Sequence, residues 1–139
     1  MHVQTETISV QTKGRTDILD LTGKVADALE TSGLQNGIVT LFVPGSTAGL
    51  TTVEYEPGLL RDLPEAFEKI ASSSKSYHHD ATWHDGNGHS HVRASLLGPS
   101  LTIPFQNKKL LLGTWQQIIL IDFDNRSRSR EIIAQMMGA

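Results

Sequence analysis

Five of the six histidines of this chain, His78, His79, His84, His89 and His91, fall inside the stretch YHHDATWHDGNGHSHVRASLLGP. Neutral imidazole is the side chain most often used to bind metal, and a catalytic zinc is satisfied by three such ligands and a water. His89 and His91 are two residues apart. Extended backbone would point both to one side, whereas a helix would turn them about 200° from each other. The Gly86-Asn87-Gly88 turn lets the chain fold sharply ahead of the next segment, and His79 can approach from the preceding one. Three readings of this spacing stand side by side. They are a divalent metal site on at least two of the histidines, metal-free acid–base work, and a solvated polar loop; His89 and His91 lead under either chemical reading.

Two further groupings have chemical content. In PGSTAGLTTVE, glycines flank Ser46 and Thr47, so backbone N–H groups and hydroxyls can form a concave anion cradle. The loop lacks the Gly-Lys-Ser/Thr ending of a P-loop, which removes support for nucleoside triphosphate binding. An ordinary strand–loop–strand connection explains the same residues. Glu54, just beyond, is a possible base or metal ligand, or a surface carboxylate. In DFDNRSRSR, Arg126, Arg128 and Arg130 recur at two-residue spacing and can present a fork to an anion. Asp122 and Asp124 beside them allow the alternative of ion pairs.

The elements that must position these groups can be read from pattern. Residues 3–12 alternate loosely and predict a half-exposed strand. DLTGKVADALETSG predicts a helix capped by Asp20 or Thr22 and ended by Gly33. GIVTLFV is a strand, and a second begins at Leu50. EPGLLRDLPEAFEKIASS is helical, with Pro64 placed to break or kink it. SHVRASLLG is a short helix stopped by Gly98 and Pro99. LTIPF and KLLLGTWQQIILIDFD predict a hairpin of long strands turning at QNKK, with Trp115 in the core or an interface. EIIAQMMG is a strand or short helix. Helices set between antiparallel strand pairs predict an α+β domain, a largely antiparallel sheet with helices packed on one side.

Totals narrow the function classes. The chain has 139 residues, the size of a single domain, and no cysteine, so disulfides, thiolate ligands and a cysteine nucleophile are excluded. A formal net charge of −3 disfavours general nucleic-acid binding. No apolar run approaches the roughly 20 residues of a membrane span, and MHVQTETISV does not look like a secretory signal. The expectation is a cytoplasmic protein with neither a membrane nor a nucleic-acid partner.

The order of GSTAGLTT.E, DGNGHSHVRASLLGPS, LTIPF, LLLGTWQQI and the closing R.R resembles the YjbQ-like family, some of whose members have been described as secondary thiamine-phosphate synthases. The resemblance runs from about residue 5 to the C-terminus. It implies an α+β fold of a mixed sheet and packed helices, a homotrimer, and a histidine-lined pocket holding metal or anion. His79 and His91 match the family's dependable histidines, and Glu54 its glutamate. Ser46 and Thr47 match its hydroxyl pair, and Arg128 and Arg130 its two arginines. Many relatives have His-Thr-Thr-Ala where this chain has Gly45-Ser46-Thr47-Ala48, so His89 is expected to complete the metal site. The Gly-Pro that usually precedes the arginines is replaced here by Asn125, Arg126 and Ser127. The implied picture is zinc or another divalent ion on His79, His89 and His91, with Glu54 and His91 as catalytic groups. Ser46, Thr47, Arg128 and Arg130 would hold a small phosphorylated ligand.

Overall fold

A computed structural model describes every residue from Met1 to Ala139. Its order is β1 (His2–Thr12), β2 (Asp17–Asp20), α1 (Thr22–Ser32), β3 (Gly37–Phe42), β4 (Ala48–Val53), α2 (Pro57–Ile70), α3 (His78–Trp83), α4 (Gly88–Leu97), β5 (Ser100–Gln106), β6 (Lys109–Leu110), β7 (Gln117–Asp122) and β8 (Arg128–Gly138). The class is α+β, as expected. Every strand pairing is antiparallel, and the strands divide between two sheets, β1-β8-β3-β5-β6 and β2-β7-β4.

β7 explains the division. Its run QIILID is buried nearly throughout, because both faces of the strand are covered. Ile118 and Leu120 point into the larger core, with Val25 and Leu29 of α1 and Val39, Leu41, Ile132 and Met136 of the five-stranded sheet. Ile119 and Ile121, with Phe123 just beyond, point the other way, against Ala94 and Leu97 of α4 and Leu60, Leu63 and Phe67 of α2. Phe67 and Phe123 meet edge-on with ring centroids 4.8 Å apart. The small sheet is thus the middle layer, and α2 and α4 are fastened to its outer face.

Three local expectations change. The helix α2 continues through Pro64, because the Leu60, Leu63 and Phe67 stripe holds it to the sheet across the missing hydrogen bond. Glu56 caps its start, accepting from Leu59 N and Gly58 N. The turn at Asn107 and Lys108 forms with both residues at positive φ, as a two-residue hairpin turn requires. The strand after it stops at Leu110, however. Gly113 and Gln116 close a turn, with Gln116 N donating to Gly113 O at 3.0 Å, and β7 restarts in the other sheet. Trp115 therefore sits in a loop, 72% exposed, and not in the core. No helix is long and apolar enough to cross a membrane.

Candidate metal centre

The histidine-rich stretch folds into two short helices joined by the Asp85–Asn87 turn. α3 carries His79, and α4 carries His89 and His91. Gly88 is where they meet: a Cβ there would collide with Cβ and Cγ of Tyr77, so only glycine permits this approach. The Asp80 carboxylate fastens the contact by accepting from Gly88 N at 2.9 Å.

The imidazoles of His79 and His91 lie with ring centroids 4.3 Å apart. Asp85 joins them, and one ligand atom from each of the three lies within 4.8 Å of the others. His79 Nδ1 is buried without a hydrogen-bond partner. Asp85 Oδ1 at 3.4 Å and Asp80 Oδ1 at 3.8 Å are near it, but neither contact has hydrogen-bond geometry. An orphaned buried nitrogen close to a carboxylate, on a ring beside a second imidazole, fits a divalent cation, and two imidazoles with one carboxylate is a donor set zinc accepts.

His89 does not complete this set. Helix α4 begins at Gly88, so His89 already has helical geometry and diverges from His91. Its ring is buried, 6.4 Å from that of Tyr77, on the other side of the helix. Burial, and then the Arg93 guanidinium, push its pKa below the ordinary histidine value. Asp85 takes the place expected of it. The signal was present in the sequence as an acidic residue midway between His79 and His91, at the head of the Gly-Asn-Gly turn. His78 is exposed, and His84 ends α3 in the left-handed conformation, also exposed.

The expected anion groups are distributed differently. His91, Gly45 and Ser46 line one cavity of about 620 Å³, together with Ser95 of α4. Thr47 and Arg130, with the partly exposed Arg128, instead belong to an ionic network around two buried aspartates. Arg130 grips Asp122 through two bonds, Nε to Oδ2 at 2.8 Å and NH2 to Oδ1 at 3.0 Å, and donates to Thr47 Oγ1 at 2.6 Å. Arg128 Nε and Thr47 Oγ1 both donate to Asp124 Oδ2, each at 3.0 Å. Both aspartates are fully buried. Burial raises the Asp124 pKa, but hydrogen bonds from Asn87, Thr47 and Arg128 outweigh it and leave the value lowered. The two arginines are matched by two aspartates, so the charge that would have clamped an anion is already paired.

Glu54 is exposed beyond the far end of β4, in a hollow with Trp115 and Gln116. Five strand steps, roughly 17 Å at 3.3 Å per residue, separate the two ends of β4. Within one chain Glu54 and the histidine pair are therefore not brought together.

The same network supports the His79, Asp85 and His91 cluster. Asn87 N donates to Asp85 Oδ1 at 3.1 Å, and Asn87 Nδ2 to Asp124 Oδ1 at 3.2 Å. Asn125 Nδ2 holds the Asp85 carbonyl at 2.6 Å. Sequence reasoning named Asn87 as a turn residue and Asn125 as part of the replaced Gly-Pro, and gave neither a role at the site. Only the folded chain brings the turn beside the end of β7.

Residues 6–139 match the family model described as UPF0047 protein YjbQ-like. A UPF0047 protein of Methanothermobacter thermautotrophicus is 38% identical over 138 residues, covering 99% of this chain and 94% of that protein. One from Archaeoglobus fulgidus is 36% identical over 130 residues, 94% of this chain and 98% of the relative. The crystal structure of a hypothetical protein from Aeropyrum pernix superposes with a TM-score of 0.91 at 33% identity, covering 98% of this chain and 99% of the other. With both its sequence and its two-sheet architecture matched over nearly their full length, the chain belongs to the YjbQ-like UPF0047 family.

Proposed function

We propose that this protein binds a divalent ion, zinc by its donor chemistry, on His79, Asp85 and His91, and receives an oxygen of a small phosphorylated molecule in the cavity beside it. The observation that supports this most directly is the buried, unpartnered Nδ1 of His79, 3.4 Å from Asp85 Oδ1 in the cluster that also contains His91. A bound zinc would supply Lewis acidity to that oxygen, or lower the pKa of a bound water. Ser46 offers a hydroxyl at the mouth of the same cavity, and Asp85 is held by Asn87 and Asn125. The reaction that the family resemblance implies joins a pyrimidine pyrophosphate to a thiazole phosphate and releases pyrophosphate. A homotrimer is part of this proposal, supported by exposed apolar side chains including Trp83, Ile70 and Leu96.

A turnover assay on thiamine precursors tests the enzymatic reading. Expected is zinc-dependent turnover that is lost in Asp85→Ala and unchanged in Glu54→Gln, which lies at the far end of β4. Absence of turnover by the zinc-loaded protein would overturn it. A second reading, a non-catalytic metal- or ligand-binding protein, is favoured by one feature of the cavity. Apart from His91, no titratable side chain lines it, so proton transfer would fall to a ligand of the metal.

A further inference from the structure

Helix α4 has a second polar face. His91 turns toward His79, while His89 and Arg93 turn into a separate cavity of about 260 Å³ with Arg15, Glu68, Ser73 and Asn125. Apart from Pro64, every residue lining it is polar.

Arg93 is almost completely buried, and its contacts are defined. Nε donates to Ala71 O at 3.0 Å, NH1 to Thr16 Oγ1 at 3.0 Å, and NH2 to Glu68 Oε1 at 2.6 Å. A guanidinium has five N–H donors, so two remain unused. Arg15, at the rim, is exposed, and its side chain makes no ion pair or hydrogen bond. Its backbone is unusual: Gly14, Arg15 and Thr16 run consecutively at φ 76°, 57° and 64°. Successive left-handed residues other than glycine are uncommon and persist only where the surroundings force them. Here Arg15 N donates to Asp124 O at 2.6 Å, and Gly14 packs so closely on Asp124 O and Arg126 O that a Cβ would lie 2.5 Å from each. This braced turn delivers Thr16 Oγ1 to Arg93 and sets Arg15 beside it. Two cations face one carboxylate, so the cavity has an excess positive charge.

The acceptor side makes the ligand more specific. Hydrogen bonds from Ser73, then from Arg93, hold the Glu68 pKa at about 2, so it is an anion at neutral pH. Its oxygens accept from Arg93 NH2 and from Ser73 N at 3.1 Å, and a carboxylate has lone pairs beyond these. An anion entering between two arginines therefore meets a carboxylate that repels it, unless the anion brings a proton. Phosphate at neutral pH retains one in part of its population; sulfate has none. Glu68 stands at the open side of the cavity, its side chain 46% exposed, and an acceptor that one ligand satisfies and its isostere cannot discriminates between them.

We infer that this cavity is a metal-independent site for a phosphate group, gripped by Arg15 and Arg93 and donating its own proton to Glu68. It does not rest on the metal centre and stands or falls separately. The test is calorimetric titration of the chelator-treated full chain at neutral pH with inorganic phosphate, sulfate and glycerol phosphate. Expected is saturable phosphate binding with sulfate at least ten-fold weaker. Arg15→Ala, which removes an exposed side chain with no partner, should weaken phosphate ten-fold or more. His91→Ala should leave it unchanged, and Glu68→Gln should bring sulfate within a few-fold of phosphate. Glycerol phosphate binding as tightly as the free ion assigns the site to a phosphomonoester, and weaker binding to inorganic phosphate; either outcome supports the site. No saturable phosphate binding, or equal affinity for sulfate and phosphate, would overturn the inference. So would binding lost in His91→Ala but kept in Arg15→Ala.

Discussion

The rings of His79 and His91 stand 4.3 Å apart although they belong to different helices, and the contact that brings them together is made by a glycine. Gly88 lets the backbone of α4 start against Tyr77, two residues ahead of His79. In Gly88→Ala the added Cβ would push the start of α3 away from α4. Zinc affinity is expected to fall by about ten-fold or more, the range seen when support of a metal ligand is lost. Competition with a chromophoric chelator measures it, and an unchanged affinity would show that the two histidines meet without this packing.

Asn125 is the outer support of Asp85, holding its carbonyl at 2.6 Å from the end of β7. Asn125→Ala leaves His79, Asp85 and His91 in place and frees the turn that carries Asp85. Expected is a loss of zinc affinity of roughly 10–100-fold with little change in unfolding temperature. A large stability loss with metal affinity intact would mark Asn125 as part of the fold alone.

Arg130 separates two roles cleanly. As an anion clamp, its removal would weaken ligand binding and leave stability within about 0.5 kcal/mol. As the partner of fully buried Asp122, its removal leaves an uncompensated charge, and Arg130→Ala should cost about 3–5 kcal/mol in chemical denaturation. The bidentate geometry predicts the second result.

Glu68 gives the protein an acid-side dependence. Its folded pKa of about 2 lies below the ordinary 4.5, so the unfolded chain takes up the proton first as pH falls. The stability it contributes is complete above about pH 4.5 and is lost progressively toward pH 2. The charged and titratable groups around it include Arg93, Arg15, His89 and Tyr77. Denaturation midpoints measured across that window should fall less steeply in Glu68→Gln than in the parent. Parallel curves would remove Glu68 as a source of the dependence.

How much of this was legible in sequence differs by element. The helix at Gly88–Leu97 and the strand at Gly37–Phe42 have local boundaries, glycines and a proline, that act over a few residues. The burial of β7 on both faces was visible as an unbroken apolar run, but its transfer to a second sheet depends on a turn at Gly113–Gln116 that a hairpin pattern hides. His79 and His91 stood out by residue type and family match. Asp85 did not, because a lone aspartate in a turn also serves as an ordinary turn former. The arginines were conspicuous for the opposite reason: their spacing showed charge, while only β8's antiparallel neighbours and the loop at Thr47 show that the charge is spent inside the protein. His89 turned on a helix start two residues earlier than the SHVRASLLG pattern gave, within the one or two residues by which helix ends vary.

The most direct measurement of the central claim is zinc content and affinity in the parent, Asp85→Ala and His89→Ala, reconstituted and measured together. Expected is a single zinc per chain in the parent and in His89→Ala, and loss of it in Asp85→Ala. A parent protein that retains no zinc, or metal kept in Asp85→Ala and lost in His89→Ala, would contradict the assignment of His79, Asp85 and His91 as the site.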